Sequence, residues 1–255
     1  MMATPRIKKS PFSSSVYGQL VDRYLFNFRA DPEALERHLP QVVWLKPRTI
    51  NGHGVVSFCL LRLEGVTLWP LPTLLGIDTT SCAYRCAVID SSGEKPEPSV
   101  YVLGRNTDLS IISRLGSIAF SGPMQMIQTS IEQTPSRVDI HARYSDGREL
   151  FSAKVCQSEV KKDSQLFGSL GEFVDFIKGG ASSYTPSNSD GCYSRVDLTE
   201  DSNYYEQVEA KIECCSLKEE WKDAGLAFDS AFHAGGGRYK LKYLGTMPNV
   251  DSVQA

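Results

Sequence analysis

No window of this 255-residue chain approaches the ~18–20 consecutive apolar residues that a membrane-spanning helix needs, so no membrane association is expected. Basic charge is not in excess either. The net charge is −3, and without a basic stripe to neutralise phosphates, nucleic acid is not an expected partner. Histidine is scarce: His38, His53, His141 and His233 keep no ligand spacing to one another or to cysteine, which leaves a metal unsupported. The seven cysteines are odd in number and contain no C-x-x-C. Adjacent Cys214 and Cys215 would point to opposite faces of a strand. The set therefore reads as reduced thiols of a cytoplasmic protein, not as a disulfide framework. There is no G-x-S-x-G, and the glycine-rich run His233–Arg238 lacks the strand-loop-helix setting and lysine of a phosphate loop. That run reads as a turn between late strands, and no cofactor is implied.

What remains is an ordinary globular composition, 41% hydrophobic and 22% charged, which argues against global disorder. A chain of this length buries roughly 70–75% of its unfolded surface, enough for a core without staples. MMATPRIKKSPFSSS has a basic start with no apolar stretch behind it, so it reads as a loose tail, not a signal peptide. The expected organisation is one domain over residues 16–246, with flexible tails over 1–15 and 247–255.

Strand density predicts strands at Val16–Phe28, Gly54–Leu63, Thr79–Ile89, Ser99–Arg105, Arg137–Tyr144, Glu149–Glu159, Tyr204–Ser216 and Gly237–Leu244. Asp146-Gly147 marks a hairpin between two of them. Asp31 and Pro32 open a short helix that Pro40 stops. Asp108 is read as the cap of a helix over Leu109–Leu115 with Gly116 as terminator, and Ser169 as the cap of another that ends at Gly179-Gly180. Tyr184–Gly191 and the Lys161-Lys162-Asp163 cluster read as surface loops. Many strands with few helices predict a mainly β (α+β) fold: a curved antiparallel sheet closing on itself, not alternating βαβ units.

The informative segment is Ser99–Gly116, SVYVLGRNTDLSIISRLG. A strand ends in Gly104-Arg105, and a short helix ends in Leu115-Gly116. This resembles the acetoacetate decarboxylase family, which carries Gly-Arg-Glu at a strand end and, about ten residues on, a lysine pair before Leu-Gly. Arg29–Leu35 through Leu39-Pro40 resembles that family's opening strand and helix. Val208–Ile212 with Glu220-Trp221 resembles its late strand and tryptophan-bearing turn. The anchors span Val16 to Leu244, and Arg85 within SCAYRCAV is similar to the superfamily's uncharacterised branch, grouped under a domain of unknown function. The resemblance implies a β barrel with an internal pocket and a tendency to form homo-oligomers.

It also implies a chemistry that this sequence departs from. The family's reactive lysine forms a Schiff base with a ketone, and a neighbouring cation and apolar burial lower its pKa so that the free amine can attack. Here the lysine pair is replaced by Ser113 and Arg114, the Glu of Gly-Arg-Glu is Asn106, and the earlier strand shows no clear acid. Serine cannot form an imine. Arg85, Arg105 and Arg114 are the candidate carboxylate-binding residues, because a guanidinium matches a carboxylate through two parallel hydrogen bonds. Asn106, Tyr84 and Tyr101 are the further candidate lining residues. Lys178, at the end of an apolar helix, is the candidate relocated amine, and Ser113 a weaker catalytic candidate. The expectation is a small carboxylate- or carbonyl-bearing ligand held without Schiff-base decarboxylation. The alternative is a lyase-like enzyme acting on a small keto acid with a relocated lysine or no imine.

Overall fold

A computed structural model describes residues 7–8, 15–156 and 163–249 of the chain. Lys161 and Lys162, the end of the strand expected to reach Glu159, and most of both tails lie outside the described residues. The opening follows the sequence reading: β1 (Ser15–Ala30) leads into α1 (Pro32–His38), and the Asp31 carboxylate accepts a hydrogen bond from the Ala34 amide at 2.8 Å. Then come β2 (Leu45–Pro47), β3 (Thr49–Ile50), β4 (His53–Leu68), β5 (Ile77–Asp90), β6 (Glu97–Val102) and β7 (Arg105–Thr107). Helix α2 (Ser110–Ala119) precedes β8 (Met124–Gln133), β9 (Val138–Tyr144) and β10 (Glu149–Cys156). The chain finishes with α3 (Leu170–Gly179), β11 (Ser182–Pro186), β12 (Cys192–Asp201), β13 (Tyr204–Cys215), α4 (Ser216–Glu220) and β14 (Ala227–Pro248).

All these strands belong to one sheet whose pairings return on themselves. Strands β14, β1, β4 and β5 form an antiparallel wall. One path leaves it through β6, β11 and β12 and rejoins β14. The other runs through β7, β8, β9, β10 and β13 back to the same strand. Two pairings, β6–β11 and β7–β8, are parallel, so the antiparallel expectation is incomplete. The parallel β7–β8 pair needs a crossover, and α2 supplies it.

The glycine run is no turn. It lies inside β14, where the strand changes partner: β13 pairs as far as Gly235, and β12 takes over at Arg238. A Cβ at Gly235 would sit 2.2 Å from the Val21 carbonyl oxygen, and one at Gly237 1.9 Å from that of Asp201. Glycine is there so that backbones can close on both sides of the exchange. The expected loop at Tyr184–Gly191 is also corrected, because Tyr184 to Pro186 belong to β11 and Tyr184 is fully buried. At the C-terminus β14 runs on to Pro248, and Met247, placed in a loose tail by the sequence, is in the core.

Asp108 does not cap α2. Its carboxylate accepts from the Thr79 hydroxyl at 2.8 Å and the Thr80 amide at 2.9 Å, donors that β5 holds in place, and Leu109 occupies the cap position. Gly116 does not end the helix either. It is buried within α2 where a Cβ would meet the Met124 sulfur at 2.9 Å, so glycine lets helix and strand touch.

Both faces of the wall are covered. On one, Phe26, Phe58 and Phe151 pack ring on ring with Tyr84, Ile140 and Ala142. On the other, Leu25, Cys59, Leu61 and Phe232 pack with Phe167 and Phe173, which the segment around α3 lays over the sheet. No helix among the described residues is long and apolar enough to cross a membrane.

Candidate functional site

Strand alternation decides which candidates can meet. On β5 the side chains of Ser81, Ala83 and Arg85 face a cavity of about 330 Å³, while Tyr84 points through the wall into the packed core. The Tyr84 hydroxyl donates to the Leu150 carbonyl at 2.8 Å and lines no cavity. Tyr101 is excluded in the same way. Its neighbours Val100 and Val102 line the cavity, whereas Tyr101 is buried edge-on against Tyr193. The sequence reading nominates both tyrosines for the pocket, and alternation on β5 and β6 turns them away from it.

Two of the three arginines do come together. Arg105, at the start of β7, and Arg85 both line the cavity, with Asn106 beside them donating to the Cys82 carbonyl at 3.2 Å. The Arg105 guanidinium lies 5.6 Å over the Phe120 ring, and one of its terminal nitrogens is buried without a hydrogen-bond partner. The Arg85 Nε is buried and unpartnered as well. Neither arginine has a carboxylate within ion-pair distance among the described residues. Burial, with the charge of Arg85 adding to it, pushes Arg105 down to about 10, and Tyr239 pulls the other way. Tyr239 is pushed up to about 12 by burial, while both arginines favour its phenolate.

Arg114 is not part of this group. It lies on the exposed face of α2 and lines no cavity, because Ile112, Leu115 and Gly116 take the inward positions of that helix. Ser113 is half-buried, and its hydroxyl donates to the Met124 carbonyl at 2.7 Å instead of facing the cavity. Among the described residues no lysine lines the cavity.

A second cavity of about 260 Å³ adjoins the first, and Arg85 lines both. Arg23, Arg48, Glu200 and Tyr205 face it, with Lys178 exposed at its edge. Here the buried cation is matched: Arg23 pairs with Glu200, whose carboxylate also accepts from Tyr205 at 3.2 Å. Arg23, Glu200 and Tyr239 were not singled out from the sequence. Tyr239 was within reach, since alternation along β14 sets Tyr239, Leu241 and Tyr243 inward and Arg238, Lys240 and Lys242 outward.

Solved structures share this architecture. The acetoacetate decarboxylase of Legionella pneumophila superposes with a TM-score of 0.63 at 13% identity, over 96% of this chain and 88% of that one. The fold is acetoacetate decarboxylase-like. An acetoacetate decarboxylase-like enzyme from Sphingomonas wittichii gives a TM-score of 0.61 at 12% identity, over 92% of each chain. The enduracididine biosynthesis enzyme MppR complexed with pyruvate gives 0.59 at 12% identity, over 94% of this chain and 91% of that one. No family model matches the chain, and no curated protein matches it. At such identities the acetoacetate decarboxylase-like fold is what is shared, and the cavity's chemistry has to be read from its own residues.

Proposed function

We propose that this chain binds a small carboxylate- or carbonyl-bearing molecule in the first cavity, with Arg85 and Arg105 taking the carboxylate, and that it does so without a Schiff base. The ring of strands acts in this reading as a barrel with the ligand inside. One observation carries it: two arginines line one cavity, each with a buried, unpartnered nitrogen and no carboxylate within ion-pair distance among the described residues. An arginine does not readily shed its proton, so an unmatched pair in an apolar setting is costly until an anion arrives. The Phe120 ring lies under the guanidinium of Arg105, and Phe120, Tyr239 and Arg105 all line the same cavity. That a similar fold holds pyruvate in another protein supports the ligand class.

The second reading is a lyase-like enzyme with a relocated amine, and Lys178 at the second cavity is the residue that favours it. Lys178 is exposed, however, and lacks the apolar enclosure that imine-forming lysines rely on.

Calorimetric titration with pyruvate and acetoacetate, followed by borohydride reduction and mass measurement, tests both. The expected result is binding that Arg85→Ala and Arg105→Ala weaken and Arg114→Ala leaves alone, with no covalent adduct. An adduct lost in Lys178→Ala would establish the enzyme reading instead. Binding indifferent to both cavity arginines would overturn the proposal.

A further inference from the structure

The cavity is larger and greasier than a three- or four-carbon keto acid requires. At ~30 Å³ per water-sized group, about 330 Å³ holds on the order of ten heavy atoms, the carboxylate included. Apart from the arginines, Asn106, Tyr239 and the hydroxyls of Thr67, Thr79, Ser81 and Ser183, its walls are mostly aliphatic. Leu61 and Leu63 of β4, Ile112 and Phe120 from α2, and Leu241 of β14 provide most of them. Among the described lining residues charge is thus found at one place, the Arg85–Arg105 pair beside Tyr239, and the aliphatic majority of the rest would desolvate a ligand.

The mouth continues the pattern. Leu71 and Leu75, on the segment joining β4 to β5, and Ile111 and Leu115 of α2 line the cavity. They nevertheless remain 56%, 69%, 53% and 48% exposed. Scattered single leucines on a surface need no explanation, but four large aliphatic side chains converging on a cavity entrance mark a binding groove. An arginine head group at one end and an aliphatic channel leading to solvent at the other describe one kind of ligand.

We infer that the ligand is an amphiphilic monocarboxylate: its acid meets Arg85 and Arg105, and a hydrocarbon tail of roughly six to eight carbons runs between β4 and α2 towards Leu71 and Leu115. This rests on the carboxylate reading above and deepens it, because it assigns the tail as well as the head.

The test is a titration of the unmodified protein with straight-chain carboxylates from propionate to decanoate, alongside octanol. Each methylene buried contributes about fourfold in affinity, so the dissociation constant is expected to fall steadily up to about octanoate and then level off. Ile112→Trp, which fills the channel, is expected to weaken octanoate more than tenfold and leave propionate alone. Since the chain-length series is read on the natural sequence, it does not depend on that variant folding. A flat series in which propionate still binds and loses affinity in Arg105→Ala overturns the tail and leaves the carboxylate reading standing. Octanol binding as tightly as octanoate overturns the inference from the other side, because the arginines then contribute nothing. If no carboxylate of any length binds, both readings fall together.

Discussion

Arg23, fully buried, and the half-buried Arg85 and Arg105 are cations of adjoining cavities, yet their surroundings differ in one respect. Arg23 has Glu200 against it, with the two side chains only 2% and 6% exposed. Arg85 and Arg105 line a largely aliphatic chamber with Tyr239, and neither has a carboxylate within ion-pair distance among the described residues, although Arg85 also borders the cavity that holds Glu200. The first arrangement is charge-matched within the chain, although the Arg23 Nε too lacks a hydrogen-bond partner, and it belongs to the architecture, tying β1 to β12. The second leaves positive charge uncompensated, which evolution tolerates where a ligand supplies the missing anion.

The largest effect should come from breaking the matched side. Glu200→Gln removes the acid and strands Arg23 in the interior, which should cost about 3–5 kcal/mol in urea unfolding. If the variant unfolds at the wild-type midpoint, Arg23 does not depend on its acid, and the contrast between the cavities disappears. On the unmatched side the same operation should do something different. Arg105→Met deletes a charge that has no partner, so stability should hold within about 1 kcal/mol or rise. Ligand affinity should nonetheless fall by about 10- to 100-fold, since a charge-assisted hydrogen bond contributes ~1.5–3 kcal/mol. A large loss of stability without a change in affinity would mean that Arg105 is a structural residue like Arg23.

A third variant separates the two faces of β5. Tyr84→Phe removes the hydroxyl that satisfies the buried Leu150 carbonyl, at a cost of about 1–2 kcal/mol. It should leave carboxylate affinity unchanged in the same titration, because Tyr84 lies across the wall from the cavity. Loss of binding would show that the faces are coupled and that alternation alone does not delimit the site.

Alternation is also the measure of what the sequence disclosed. The strand density of β1, β4, β5 and β13 and the Asp31 and Ser169 caps could be read from residue types and spacing, while the fold was implied by the resemblance to the acetoacetate decarboxylase family. Arg85 and Arg105 could be nominated. What the sequence hid was long-range. The partner exchange in β14 looks locally like a glycine turn, because nothing nearby reveals that Val21 and Asp201 press on it. β8 begins after Gly122-Pro123 and carries Gln, Thr and Ser, so its hydrophobic signal is faint. Arg114 was carried over by analogy with a lysine pair, whereas the pitch of α2 sends it outward. Tyr84 and Tyr101 needed only the period-two rule applied strictly.

A half-buried histidine, cationic only when protonated, extends the comparison between matched and unmatched charge. His233 on β14 lies between Glu206, 2.8 Å from its Nδ1, and Asp22, 2.9 Å from its Nε2, and it stacks on Tyr24 with Tyr204 at its edge. Burial alone would lower its pKa, but the hydrogen bonds and charges of the two carboxylates outweigh that and raise it. Arg62 pairs with Asp22 at 2.7 Å and competes for part of that acid's charge. A raised folded value means that protonation favours the native state, so the contribution is fully present below about pH 6.5 and fades as pH rises through the folded value. This should be the smallest of the four effects. It is read as a decline in unfolding free energy of the wild type from slightly acidic to mildly alkaline pH that is flattened in His233→Gln. Parallel pH profiles for the two proteins would show that His233 is neutral when folded. The matched-charge pattern would then stop at Arg23.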